Sequence, residues 1–232
     1  MIYVTAGLHG NLEGFLKLLD KINFKDQDIL YVLGNVVDKG PKPVELLLDM
    51  SFRPNVVPIL GNHDYIAFTV LSQLRDIADE EETEDYLDVV GLRLFDWWMD
   101  NGGQITLDAF LAGDEDRREG ILDYLEEFTL YEEVEAGKFS YVLVHAGMKN
   151  FDPERAPEKY GINDLLFEKP DYAKVYFEDR ILVTGHTPTD LIEGCESGKV
   201  YKGNNHLAVD LGMDNKIAAV RLDNGEAFYV DF

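Results

Sequence analysis

The sequence predicts an α/β fold, and two observations carry that expectation. Over residues 2–74 an apolar run gives way three times to a glycine-bearing loop and then to a helix-like stretch. Beyond residue 130 the chain turns β-rich again. The first repeat is IYVTA (2–6) followed by LEGFLKLLDKI; the second is DILYVLG (28–34) before VELLLDM; the third is NVVPILG (55–61) before YIAFTVLSQL. Buried strands alternating with helices predict a largely parallel sheet layered by helices. From about 71 to 130 the character is helical. The acidic run DEEETED is expected to be a solvated helix start, while GLRLFDWWMDNGG and REGILDYLEEFTL carry apolar residues at helical spacing. Trp97 and Trp98 are expected to pack this stretch against the body rather than line a pocket. The later strands are read in FSYVLVHAG, RILVTGHTPT, HLAVDLGM, KIAAVRL and EAFYV. There is no internal repeat or low-complexity linker. Residues 1–232 therefore read as one domain with a helical, cap-like insert at about 71–130.

Composition narrows the partners. The chain has 232 residues, 46% hydrophobic and 28% charged, as expected of a folded globular protein. It has no run of 18 apolar residues, and Met1 leads directly into a strand, which argues against a membrane span or signal peptide. A single cysteine, Cys195, lies in the polar stretch EGCESGK; it excludes an internal disulfide and fits a reducing, cytoplasmic setting. The formal net charge of −24 disfavours bulk DNA or RNA as a partner. A small anionic substrate is compatible with it, because a bound cation reverses the field inside a pocket.

The five histidines stand at 9, 63, 145, 186 and 206. Four lie just after a strand-like run and beside glycine, in LHG, GNHD, VHAG and GHTP. In open α/β sheets the loops at the carboxyl ends of the strands converge on the ligand site. Neutral imidazoles ligate Zn²⁺, Fe or Mn²⁺, so convergence of these loops on a metal is the working expectation.

The ordered set AGLHG (6–10), GNVVDKG (34–40), GNHD (61–64), VHAG (144–147) and GHTP (185–188) resembles the calcineurin-like metallophosphoesterases. It is most similar to the branch of the phosphoprotein phosphatases and symmetrical bis(5′-nucleosyl)-tetraphosphatases. The resemblance implies a four-layer fold, a β-sandwich flanked by helices, with two divalent metals above the strand ends. It further implies that His9 binds the first metal and position 35 bridges the two, with Asn62, His145 and His186 completing the second. His63 would be the general acid on the leaving oxygen, oriented by Asp38. Lys39, Asn62 and His63 would contact the phosphate. The substrate would be a phosphorylated small molecule, a dinucleoside polyphosphate or a phosphoprotein.

Three positions depart from that pattern. The family's D-x-H-G reads G-L-H-G here, so Gly7 stands at a ligand position and cannot ligate. The bridging aspartate is Asn35, and the motif's arginine is Lys39. An amide oxygen is neutral and cannot bridge two cations as a carboxylate does. The expected cofactor is therefore a divalent Mn, Fe or Zn ion, with one ion or none in place of two. Hydrolysis is expected to be impaired or lost. The alternative is an active phosphohydrolase with a rewired or single-metal site, drawing a replacement carboxylate from Asp64, Asp210 or elsewhere. If only the ligands were lost, aspartate at both 7 and 35 should restore turnover.

Overall fold

The structure, a computed structural model, describes residues 1–77, 80–212 and 215–232. Two five-stranded sheets face each other. The first has the order β10-β9-β1-β2-β3, with β1 at Ile2–Thr5, β2 at Ile29–Leu33, β3 at Val56–Ile59, β9 at Lys216–Arg221 and β10 at Glu226–Asp231. The second has the order β4-β5-β6-β8-β7, with β4 at Tyr131–Ala136, β5 at Phe139–Val144, β6 at Ile181–Thr184, β7 at Tyr201–Gly203 and β8 at His206–Ala208.

Period-two alternation builds the layers. Along β1, Tyr3 packs against the helices while Val4 enters the core between the sheets. In β2, Leu30 and Val32 face the helices and Leu33 faces the opposite sheet. Within β5, Tyr141 and Leu143 point inward, whereas Val142 and Val144 meet an outer layer of Met148, Tyr160, Leu165 and Phe177. Both faces of each sheet are thus covered, and the strands read as continuous apolar runs for that reason. This is the four-layer sandwich flanked by helices.

The expectation of a largely parallel sheet needs correction. Strands β1, β2 and β3 are parallel neighbours, as are β5, β6 and β8, but β9, β10, β4 and β7 pair antiparallel. Each sheet is mixed. The reason is connection length: β1/β2 and β2/β3 are joined through the helices α1 (Leu12–Lys21) and α2 (Pro43–Ser51), whereas β9 and β10 are joined by a tight turn ending at Gly225 (φ +73°). A parallel pairing needs a long crossover, and a tight turn leaves only a hairpin.

Helix α3 (Asn62–Gln73) starts at the GNHD motif, with Gly61 as its N-cap. Between it and β4 lie α4 (Val89–Asp100), α5 (Gln104–Leu111) and α6 (Glu115–Glu126), preceded by a 3₁₀ turn at Glu80–Tyr86. Asp79 of the acidic run, and the side chains of residues 80–82, lie outside the described residues. The tryptophan doublet splits. Trp98 is fully buried in the main core, as expected, but Trp97 is 36% exposed and reaches the cleft described below. Adjacent helical residues point about 100° apart, so one packs and the other does not. A short helix α7 (Ile162–Leu165) caps the outer face of the second sheet. Cys195 sits in a turn before β7 and is unbridged.

Candidate active site

Loops following β1, β2, β3, β6 and β8 meet in a cleft of about 290 Å³, with helix α4 closing one side. It is lined by His9, Asn35, Lys39, Asn62, His63, Trp97, Asn101, His186, Pro188, Asp210 and Gly212. The β1 loop is fastened to the β2 loop by His9 N–H donating to Asn35 O (2.8 Å) and Gly10 N–H to Val36 O (2.7 Å). Asp64, at the first turn of α3, fastens the β2 loop to the helix. Its carboxylate accepts from the backbone N–H groups of Gly61 (3.0 Å), Asn35 (2.7 Å), Val36 (2.8 Å) and Val37 (3.2 Å). Burial pushes its pKa up to about 6 while these donors pull the other way. Asp64 therefore serves as a buried clamp, and its oxygens are already committed. It is not the replacement carboxylate.

The backbone here is strained in a particular way. Among the described residues, the non-glycine positions with left-handed φ are six asparagines, including Asn35, together with His9, Asp38, Lys39 and His186. Asparagine tolerates that region, whereas histidine, aspartate and lysine adopt it only when their surroundings enforce it. All four such residues belong to this site.

The imidazoles of His9 and His145 are fixed by backbone carbonyls. His9 Nδ1–H donates to Val37 O (3.1 Å), and His145 Nδ1–H to Leu33 O (2.7 Å), which leaves the Nε2 lone pair of each ring available. His145 Nε2 lies 3.0 Å from Asn62 Oδ1 and 3.2 Å from His186 Nδ1. Burial, reinforced by neighbouring His186, holds His145 well below the usual histidine range. The pKa of His186 is lowered to about 4 by burial and by His63 and Lys39; that of His9 is lowered to about 3 by burial and by Lys39 and His63. All three are neutral near pH 7, as ligation requires. Among the described residues no group of three His, Cys, Asp or Glu stands ready to hold an ion. The amide side chains of Asn35 and Asn62 line the same cleft.

His63 and Asp38 form the second element. His63 Nδ1–H donates to Asp38 Oδ2 at 2.6 Å. The Asp38 carboxylate also accepts from Trp98 Nε1 (2.8 Å to Oδ1) and from the Thr106 hydroxyl (2.7 Å), and it is fully buried. Neither Trp98 nor Thr106 was foreseen as a support, because they lie 60 and 68 residues further along the chain. The Trp97 ring stands 5.3 Å from the His63 ring, tilted by 59°. Lys39 sits at the cleft rim. Its pKa is lowered by burial, against the pull of Asp210 and Asp38.

Gly7 explains the first departure in space. Its φ is +63°, and a Cβ placed there would stand 2.6 Å from Asp210 Oδ1 and 2.9 Å from Asp210 Cγ and Oδ2. The Asp210 carboxylate fills the volume that a side chain at position 7 would need. An aspartate at position 7 therefore requires the Asp210 side chain to move aside.

The fifth histidine is structural. His206, on β8, is buried against the Tyr172 ring (4.8 Å, stacked) with Nε2 at 2.9 Å from Thr184 Oγ1. Burial lowers its pKa to about 4. Since the folded pKa lies below the unfolded value near 6.5, its contribution is intact above pH 6.5 and is lost as pH falls towards 4. The loss by pH 4 is about 3 kcal/mol. Stability measured by urea unfolding should fall across that window, and His206→Gln should flatten the fall by about one proton's worth of slope. An unchanged slope would mean that His206 protonates in place without cost.

Comparison with known proteins agrees with this geometry. Residues 1–220 match the family described as calcineurin-like phosphoesterase. A symmetrical bis(5′-nucleosyl)-tetraphosphatase from Buchnera aphidicola subsp. Acyrthosiphon pisum (strain Tuc7) is 29% identical over 119 residues, 50% of this chain and 41% of that protein. Another, from Aliivibrio salmonicida (strain LFI1238), is 35% identical over 83 residues, 35% of this chain and 30% of that one. The match thus spans well under half of these relatives. Among solved structures, a candidate diadenosine tetraphosphatase superposes with a TM-score of 0.68 at 15% identity, covering 99% of this chain and 92% of its own. A protein serine/threonine phosphatase from Saccharomyces cerevisiae superposes at 0.52 and 15%, covering 100% and 79%. At such identities the likeness is one of fold. No helix among the described residues is long and apolar enough to cross a membrane. With the family match running over nearly the whole chain, and four motif loops lining one cleft with His145 of the fifth buried behind it, this protein belongs to the calcineurin-like phosphoesterases.

Proposed function

We propose that the cleft is a metal-dependent phosphoesterase site with weakened metal affinity, which hydrolyses phosphate esters or anhydrides slowly. The single observation that carries this reading is the intact His63–Asp38 pair. A module that only binds phosphate has no use for an imidazole held at 2.6 Å by a buried carboxylate with two further donors. The donor set fits a divalent cation of the Mn, Fe or Zn class. Neutral His9, His145 and His186 keep lone pairs free, and His145 Nε2 faces an amide oxygen and a second imidazole within 3.2 Å. His9 and Asn35 would serve one position, and Asn62, His145 and His186 the other. Such an ion, when bound, supplies positive charge for the phosphoryl oxygens and an acidified water.

The chain's own residues do the rest. Lys39 and Asn62 orient the phosphate at the rim, with Lys39 acting as a point charge rather than a fork. The Asp38 carboxylate holds the His63 ring by its Nδ1–H. His63 Nε2–H is thereby presented to the leaving oxygen, a general-acid contribution of roughly 10²–10⁴-fold. Trp97 walls off water on one side. Residues 71–130 act as a cap on a single domain in this reading. The relatives' names point to dinucleoside polyphosphates or phosphoproteins as substrate classes, and the fold suits either. A pure binding role is the second reading, favoured by Asn35 at the position of the bridging carboxylate.

The test is turnover of p-nitrophenyl phosphate, diadenosine tetraphosphate and a phosphopeptide with and without Mn²⁺, against His63→Asn as control. The expected result is Mn²⁺-dependent turnover of at least one substrate that drops by roughly 10²-fold in His63→Asn. Turnover no higher than that of His63→Asn on all three would overturn hydrolysis in favour of binding.

A further inference from the structure

We infer that Asp210 is a relocated metal ligand, supplying from the second sheet the carboxylate that Gly7 lacks on the first. This rests on the metal-dependent reading above and deepens it. Three observations carry it. First, Asp210 occupies the space of a position-7 side chain, with its carboxylate atoms 2.6–2.9 Å from where a Cβ would stand. Second, among the described residues it is the one carboxylate lining the cleft, alongside His9 and Asn35. Asp38 and Asp64 are fully buried and spent on other partners.

Third, Asp210 is held in place without being used up. Its Oδ1 accepts from Gly212 N–H at 2.8 Å, its carboxylate also accepts from the His186 backbone N–H, and its backbone carbonyl accepts from Thr189 N–H at 2.8 Å, fixing the end of β8 beside the GHTP loop. A carboxylate accepts at about four lone-pair sites, so this leaves capacity for a cation. It is only 4% exposed, and burying a charge there is costly unless something positive answers it. Two cations compete for that role: Lys39 at the rim, and a divalent ion shared with His9 and Asn35. A hard oxygen donor beside an imidazole suits Mn²⁺ or Zn²⁺. The first position then holds Asp210, His9 and Asn35, one charged ligand where a single histidine and an amide would bind poorly.

The experiment is an Mn²⁺ titration of the full chain followed by electron paramagnetic resonance, which reads binding without activity. Wild type, Asp210→Asn and His186→Asn are compared, with the exchange Gly7→Asp/Asp210→Gly as a fourth protein. Wild type is expected to bind at two positions. Asp210→Asn should weaken one at least roughly tenfold and leave the other, while His186→Asn weakens the other. The exchange variant should regain most of what Asp210→Asn loses, because the carboxylate re-enters the same volume from the other strand; it also carries the test if Asp210→Asn fails to fold. Mn²⁺ binding in Asp210→Asn equal to wild type would overturn the inference and assign Asp210 to Lys39, with the proposed function standing. A folded exchange variant that binds only as Asp210→Asn does would also overturn it. No binding by wild type at either position would overturn both.

Discussion

Gly7→Asp is expected to lower the melting temperature by roughly 6–12 °C, and to add nothing to Mn²⁺-dependent turnover. Sequence logic alone points the other way, since aspartate is what the family motif carries there. The structure reverses the sign for two reasons. The Cβ would enter the Asp210 carboxylate at 2.6 Å, closer than non-bonded atoms approach. A second buried carboxylate would then sit against the first with no added cation to answer it. Overpacking costs about 1–3 kcal/mol and an unanswered buried charge more, so a total of about 3 kcal/mol is a modest sum. In a chain of 232 residues each kcal/mol is worth roughly 2–4 °C. Thermal unfolding by circular dichroism checks the prediction. A wild-type melting temperature would mean that Asp210 swings aside freely, and that the crowding at position 7 is without consequence.

The second large effect is expected at Asp38. Asp38→Ala should destabilise the fold by about 3–5 kcal/mol, read from urea unfolding. The substitution strands three donors at once: the Trp98 indole N–H, the Thr106 hydroxyl and His63 Nδ1–H. Each buried group left unpaired costs about 1–3 kcal/mol. Alanine must also adopt the left-handed conformation that Asp38 holds at φ +71°, which adds about 1 kcal/mol. Asp38→Asn keeps the shape and one acceptor oxygen, so its stability loss should be smaller. Its turnover should still fall by at least roughly 10²-fold, because a neutral amide gives up the charge-assisted hydrogen bond that holds the His63 ring. A stability loss under about 1 kcal/mol for Asp38→Ala would show that water replaces the carboxylate.

What the sequence disclosed, and what it hid, divides along a physical line. The loops that carry His9, Asn35, Asn62, His63 and His186 were legible because each is announced locally, by an apolar run, a glycine and a polar side chain. His145 was legible in the same way, although it stands behind the cleft wall, fully buried. Strand direction was not legible. A short apolar run looks the same in a parallel or antiparallel ladder, and only the connection length separates them, as β9 and β10 demonstrate. The supports of Asp38 were hidden for a different reason. Trp98 and Thr106 reach it through tertiary packing, and nothing local in WWMDNGGQIT says which tryptophan turns inward. Asp210 could be named from the sequence as one candidate carboxylate among several. Its intrusion into the Gly7 volume needed both sheets in view.

The anchoring of Asp38 has a bearing on how such proteins can diversify. Its two outer donors sit on α4 and α5, outside the strand-and-loop body that carries the rest of the site. The backbone adds a further tie, with Lys39 N–H donating to Gly102 O (3.0 Å) just after α4. These helices are therefore not an interchangeable cassette. A graft from another phosphoesterase, or a trimmed version, would have to re-create an indole and a hydroxyl at the same two spots, or the carboxylate that holds His63 loses its mooring. The helices and the His63–Asp38 pair are thereby inherited together, and recombination between relatives must carry both or neither.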